Sequence, residues 1–560
     1  MIKKLFGNLK NEFTPKLFVV LDEGISKEQL FKDIFAGIIT GIVAIPLAIA
    51  FAIASGVSPE KGLLTAFIAG FIISFLGGSR VQIGGPTEAF VVIVYGIVEK
   101  YGINGLIFST FFAGLLLILF GFLRLGTLLK YFPYTVIVGF TTGIAFIIFS
   151  SQIKDFFGLN IGNLPSDFIE KWIIYIKNFN SINIYSVLIG VITIIIIIIF
   201  QRYFKNIPGS LVAIIVTTVI VKIFNFPVET IGSRFGDIST SSFKIVIPSL
   251  NFSQIKELLN PIISIALLGG IESLLSATVA DGMIGGKHKP NIELVAQGVA
   301  NCFSALFGGI PATGAIARTS TNVKNGGRTP IAGIVHAFVL FIVYFFAYKY
   351  VKLIPMACLA GILFYVSYNM AEFHLFFSMM KISKHDTIVL LITFFITVIF
   401  DLVLAIQLSM ILSAFLFIKR VIDSANVNIF ENIIDLKDTD QESLIQIQND
   451  KIFKSIIIYK IIGPFFFGQA QEFVENLSKC DKNKKYVILK MKRVPFIDAT
   501  GIHRLKDIIN KMYKEKKEVI IVELNENAKN TIIENIDNNK FKIFEDIDSF
   551  INYLKSLNKN

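Results

Sequence analysis

The sequence predicts a polytopic α-helical membrane protein, with fourteen segments in two inverted sets of seven, followed by a small α/β domain. Three observations carry this. The 560 residues are 54% hydrophobic, and mean hydropathy is +0.67. Charge is divided unevenly: 22 Lys+Arg and 20 Asp+Glu fall in the 135 residues from 426 onward, against 31 and 21 in the first 425. Two short Gly/Pro-interrupted segments also recur about 227 residues apart. The first region suits hydrocarbon and the second suits water.

A membrane helix needs about 20 apolar residues, and shorter runs are half-helices buried in protein. The first seven segments lie near 35–56, 61–77, 86–99, 104–123, 132–152, 184–203 and 208–224. After a polar stretch, 225–257, the second seven lie near 260–283, 291–308, 313–323, 329–350, 354–371, 385–401 and 403–420. Segments 86–99 and 313–323 are too short to cross. Each follows a Gly-Gly pair with a nearby proline and a threonine (GGPT, GGIPAT). Adding the same spacing to Pro46 lands beside Glu272. Paired, broken short helices mark inverted-repeat transporters. With seven segments per half, the second copy is inverted and both chain ends share one side. The basic start (Lys3, Lys4, Lys10, Lys16) and the Lys419–Arg420 exit place that side in the cytoplasm.

The tail alternates β-branched runs (452–461, 486–491, 518–524) with helical stretches near 470–479 and 500–515, which gives the α/β domain. The expected divisions are a cytoplasmic N-terminal segment over 1–30, a transport domain over 31–422 and a cytoplasmic tail domain over 440–560.

Other classes are excluded. Of the +12 net charge, +10 sits in the apolar region, where it reads as loop Lys and Arg facing anionic lipid, not nucleic acid. Cys302, Cys358 and Cys480 are scattered, without disulfide or metal spacing. Some thirty polar and basic residues precede the first long apolar run, unlike a cleavable signal peptide. The tail shows no nucleophile–base pair, metal motif or Walker loop, which argues against an enzyme, a cofactor or direct ATP drive.

A half-helix that starts mid-membrane leaves its first N–H groups unpaired and presents about half a positive charge. Two such starts, at Gly85–Thr87 and Thr313–Ala315, form an anion site if they face each other. Thr87 and Thr313 would add hydroxyl donors, and Gly85 and Gly314 would let the anion approach the backbone. Glycines at such breaks also serve close helix packing; two breaks at matched positions favour binding. Glu272 is a carboxylate mid-span, costing about 2.5–3.5 kcal/mol on insertion scales. Burial favours the neutral acid, so Glu272 is the candidate proton carrier. Glu88 either caps the first half-helix or faces the site. Arg318, one turn into the second, is expected to balance the anion or Glu272 and not to snorkel outward. Asp281 reads as a boundary residue, and His336 and His374 as core residues.

These stretches resemble a known family. AIPLAIAFAIASGVSPEKGLLTAFIAGF, GGSRVQIGGPTEAF, ESLLSATVADGM and GGIPATGAIARTSTNVKNGG are similar to SulP anion transporters, the bacterial relatives of sulfate permeases. GPFFFGQAQEF and FIDATGIHRL resemble a STAS domain. The resemblance spans about 30–555. It implies core and gate domains, a homodimer and an elevator-like movement. Its substrates are small anions such as sulfate, bicarbonate, chloride or dicarboxylates. It implies substrate contacts at Thr87 and at the Gly314–Ala315 backbone, with Phe51 lining, and coupling at Glu272. Sodium-coupled bicarbonate members carry Asp at the Glu272 position, a hydroxyl matched here by Ser276, and a hydroxyl expected near Ile316. The missing oxygen favours a proton over sodium. Glu88 stands where a small residue is expected. Anti-sigma-factor antagonists, which the STAS domain resembles, carry a phosphorylatable Ser where this chain has Ala499, although Thr500 remains, so the tail reads as a docking or regulatory module. The resulting expectation is a plasma-membrane secondary transporter of a small anion. A sodium symporter, a passive channel and a scaffold acting through the tail are the alternatives.

Overall fold

The structure is a computed structural model. It describes residues 12–127, 133–162, 164–165, 167–204, 208–236, 244–246, 255–400, 402–424, 426–430, 455–468, 484–546, 549–550, 552–553 and 556. The chain divides into two compact units, Met1–Ser413 and Ala414–Asn560.

In the first unit every predicted apolar segment meets a helix. The first half contains α1 (Lys27–Ala54), α2 (Pro59–Leu76), strand β1 (Gly84–Gly85) and α3 (Val91–Phe122, entered through a 3₁₀ turn Glu88–Phe90). It continues with α4 (Tyr134–Ser151), α5 (Ile184–Tyr203) and α6 (Gly209–Phe224). The second half contains α7 (Ile255–Ile284), α8 (Pro290–Leu306), strand β2 (Thr313–Gly314), α9 (Ile316–Lys324) and α10 (Ile331–Ile342). It closes with α11 (Met356–Met370), α12 (Lys384–Ile399) and the first part of α13 (Leu402–Ser424). Segments 86–99 and 104–123 both fall within α3, which kinks between them at Gly102, whose φ of 67° no ordinary helix residue adopts. An amphipathic helix at Phe168–Lys177 has no counterpart among the expected segments, since ten residues fall far short of a span.

The packing repeats between the halves. α3 packs on α8 and α7, and α10 packs correspondingly on α2 and α1; α12 packs on α4 as α11 packs on α5. The helices therefore fall into a core set (α1–α3 and α7–α10) and a second set (α4–α6, α11 and α12), joined chiefly through α1. Small residues make the core contacts close. A Cβ on Gly114 of α3 would lie 2.6 Å from the Gly298 carbonyl oxygen and 2.7 Å from Cys302 Sγ of α8. A Cβ on Gly41 of α1 would lie 2.8 Å from Val339 Cβ of α10.

The second unit is a five-stranded sheet, order β3-β4-β5-β6-β7. Its strands are Asn426–Phe430, Ile456–Ile462, Tyr486–Arg493, Glu518–Val522 and Phe541–Phe544. β3 runs antiparallel to β4, and the remaining pairs are parallel. α14 (Ala499–Lys514) and α15 (Glu526–Asn535) contribute Leu505, Ile509 and Ile532 to its core. Three strands and α14 follow the expected pattern. β3 lies ahead of residue 440, and β7 is too short for a sequence signal. The helix expected near 470–479 lies outside the described residues. Asp498 caps α14, its Oδ1 accepting the Gly501 N–H at 2.6 Å, so Ala499 is the first helical residue and Thr500 is exposed.

Gly114→Ala should lower the thermal unfolding midpoint of the full-length protein in detergent, because overpacking costs about 1–3 kcal/mol. Gly96→Ala, where a Cβ meets nothing within 4 Å, should leave it unchanged or raise it.

Candidate functional site

Backbone at hydrocarbon depth must find partners within the protein. The two helix breaks supply them to each other. β1 and β2 pair antiparallel, Gly84 opposite Gly314 and Gly85 opposite Thr313. Ala315 N–H extends the ladder to the Ile83 carbonyl at 2.8 Å. Depth is set by α7: Thr313 Oγ1 donates to the Gly269 carbonyl, midway along that helix, at 2.8 Å.

Side chains from both halves hold each loop. For the first, Ile83 N–H donates to Thr319 Oγ1 (3.0 Å). Asn322 donates to the Val81 carbonyl (2.9 Å), and Gln82 Nε2 to the Ser273 carbonyl (2.9 Å). Glu293 Oε2 accepts the N–H groups of Gly78 (2.7 Å) and Ser79 (3.1 Å). For the second, Asn301 both donates to and accepts from the Ala312 backbone at 2.8 Å. Thr65 Oγ1 accepts the Ile310 N–H at 2.8 Å. Sequence reasoning missed all of these. Their one signal was the presence of polar residues inside apolar spans.

The half-helices then start beside one another. α9 has no side-chain cap at Ala315, and its first intrahelical bond runs from Thr319 N–H to the Ala315 carbonyl (2.9 Å). The Ile316, Ala317 and Arg318 amides form its open start. The turn into α3 begins after Thr87, which likewise makes no side-chain cap bond. Thr87 instead donates its hydroxyl to Glu272 Oε2 at 3.0 Å. Arg318, 2% exposed, sends Nη2 to the Pro86 carbonyl. Its Nη1 has no hydrogen-bond partner among the described residues. Its charge acts on both Glu88 and Glu272. Gly85, with φ 153°, leaves the space that this guanidinium occupies; a Cβ there would collide with Nη1.

Of the sequence-selected residues, the structure gathers Gly85, Thr87, Glu88, Glu272, Thr313, Gly314, Ala315 and Arg318 around one point. Three roles change. The Thr313 hydroxyl is spent on Gly269, because a buried hydroxyl takes the nearest free carbonyl. The Ala315 amide is spent on Ile83. Gly314 gives room to Gln82, whose amide a Cβ would overlap. All three shape the breaks, and the open donors begin one residue later, at Ile316. Ser276, one turn past Glu272, contacts Thr319 Oγ1 at 3.3 Å. Phe51 is buried in the apolar core with Ile49 and Leu63. Asp281 pairs with His288 at 2.7 Å near the end of α7. His336 is buried with neither ring nitrogen hydrogen-bonded among the described residues. His374 is exposed, not core, because it lies off the face of the short helix Phe373–Met379 that buries Phe376 and Met379.

Known proteins match this arrangement. Residues 30–393 match the sulfate permease family, and residues 448–550 match the STAS domain. The chain is 39% identical over 513 residues to the putative sulfate transporter YvdB of Bacillus subtilis (strain 168), covering 91% of this chain and 94% of that one. It is 30% identical over 494 residues to the bicarbonate transporter BicA of Picosynechococcus, covering 83% and 84%. Its fold follows the murine Slc26a9 anion transporter in the inward-facing state, with TM-score 0.87 at 18% identity, covering 99% and 95%.

Gly314→Ala should lower the initial rate of anion uptake at least tenfold and also lower thermal stability. Gln82→Ala in the same chain should recover part of that stability, since it removes the atoms the new Cβ meets and, with them, the bond to Ser273.

Proposed function

The chain belongs to the sulfate permease family, and from that premise we propose that it carries a small oxyanion by proton-coupled secondary transport, with the anion seated between the starts of α3 and α9. It is a multi-span membrane transporter of anions and not an enzyme. The carrying observation is the Thr87–Glu272 hydrogen bond at 3.0 Å, set beside the Arg318 Nη1, which has no hydrogen-bond partner among the described residues.

Charge balance supports the proton. The site holds one guanidinium and two carboxyls, Glu88 and Glu272. With both ionised, an entering anion would add negative charge to a surplus already present in a low-dielectric setting, where repulsion is strongest. A proton on Glu272 removes one charge. It also turns the carboxyl from acceptor into donor, which frees the Thr87 hydroxyl to turn toward the anion. Ile316, Ala317 and Arg318 amides and the Arg318 Nη1 supply the remaining donors. Ionised Glu272 recaptures Thr87 and repels the anion. Binding and protonation thus favour each other, the reciprocity that coupled transport requires.

The core set of helices carries this whole site, so it moves as one body past the second set in an elevator-like step. The family resemblance supports a homodimer in the plasma membrane with both termini cytoplasmic, and a STAS module that docks a protein partner and does not act as a phosphoswitch, since Ala499 fills that position. The divisions 1–30, 31–422 and 440–560 belong to the same proposal. Removing 440–560 tests the scaffold reading: a scaffold would lose its cellular phenotype while any residual flux stayed intact.

Proteoliposomes loaded at neutral pH and placed in acidic buffer should accumulate labelled sulfate faster than without the gradient. Glu272→Gln should abolish that pH dependence. Thr87→Ala should cost about tenfold in uptake, the size of one lost hydrogen bond to a charged group, and Thr87→Ser should retain most of it. Uptake driven by a sodium gradient and indifferent to pH would overturn the proton assignment.

A further inference from the structure

Beside the N-terminal helix Lys16–Glu23, four basic side chains converge on a cleft that the transport site does not use. Lys16, Arg80, Lys287 and Arg328 line it with Ile284 and the Gly285–Gly286 backbone, around a volume of about 290 Å³. No carboxylate is among the lining residues. The four cations come from separate places in the chain: the N-terminal helix, the loop before β1, the α7–α8 turn and the α9–α10 turn. The fold therefore assembles a charge concentration that no sequence motif displays.

Two of the cations are fixed in place. Glu23 holds the Arg80 guanidinium at 2.5 Å from outside the lining. The carbonyls of Val323 and Gly327 hold one nitrogen of Arg328 at 2.9 and 2.7 Å, which leaves its other donors for a ligand. Lys16 N–H bonds the Gly77 carbonyl at 2.9 Å, which anchors the helix start. Burial, and then the nearby Arg80 charge, push the Lys16 amine below its usual range. Glu23 and Asp281 oppose this shift from outside the lining, and an anion in the cleft would act in the same direction. Gly285, at φ 68°, has nothing within 4 Å of its Cβ position, so the cleft floor is open backbone. Phe18 of the same N-terminal helix is 42% exposed and packs edge-on against Phe75, placing apolar surface on the helix that borders the cations.

We propose that this cleft binds a phosphate group, carried either by an anionic phospholipid headgroup or by free phosphate. Arg and Lys around a compact space suit a tetrahedral, multiply charged anion. Basic pockets beside membrane helices suit a lipid headgroup, and the exposed Phe18 would meet its acyl chain.

The test uses the full-length protein in neutral detergent. Native mass spectrometry would compare retained dioleoyl-phosphatidylglycerol with dioleoyl-phosphatidylcholine, and a thermal-unfolding titration would use inorganic phosphate. Phosphatidylglycerol should be preferred, and Lys287→Gln/Arg328→Gln should weaken its retention at least tenfold. Lys287→Arg/Arg328→Lys should retain it and so exclude misfolding as the cause. Displacement of the lipid by phosphate identifies the headgroup as the occupant. Variant-sensitive stabilisation by phosphate without lipid retention identifies the free ion. Glu272→Gln should leave either result unchanged. The proposal is overturned if the double Gln variant binds both probes like the parent, or if only Glu272→Gln abolishes binding.

Discussion

Everything at the centre of this protein depends on two breaks in membrane helices satisfying one another. A broken helix exposes backbone donors and acceptors, and at hydrocarbon depth each unsatisfied group costs several kcal/mol. Here Gly84–Gly85 and Thr313–Gly314 pair as two short strands, one from each half of the chain. Neither break could persist alone. The same pairing that stabilises them sets the starts of α3 and α9 side by side, with open amides. Structural satisfaction and the geometry of the proposed anion site are therefore one arrangement.

The support around the pair is reciprocal. Thr319, Asn322 and Glu293 from the second half hold the first loop, while Thr65 from the first half helps Asn301 hold the second. Glycines make the close approach possible where they are needed most: Gly85 for Arg318, and Gly314 for Gln82. Arg318 at the centre keeps a donor nitrogen without a hydrogen-bond partner among the described residues, and Glu272 holds the Thr87 hydroxyl. In a small set of polar atoms shielded from water, the proposed coupling between proton and anion would be strong.

The breaks were legible in the sequence because Gly, Pro and Thr within apolar stretches are costly and recur at one spacing. Glu272 was legible for the same reason. The supporting bonds were not, because their partners lie far apart in sequence: Ile83 with Thr319 is separated by 236 positions and Val81 with Asn322 by 241. Sequence shows a polar residue in a span, but not which carbonyl it will meet. That is why Thr313 and Ala315 read as ligand donors in the sequence, whereas their polar atoms close the strand pair and the contact to α7. The tail was readable where β-branched runs were long, and unreadable at β7, four residues long.

The central claim is that an anion sits at the start of α9, against Thr87 and Glu272. Ile316 opens that helix and is 40% exposed, so a thiol placed there would report occupancy. In an Ile316→Cys chain whose three native cysteines are replaced by Ser, the rate of modification by a small methanethiosulfonate reagent should be measured with and without sulfate or bicarbonate. The transported anion should slow labelling several-fold, more strongly at acidic than at alkaline pH, and Glu272→Gln should remove the pH effect. A labelling rate unchanged by saturating transported anion would contradict the claim.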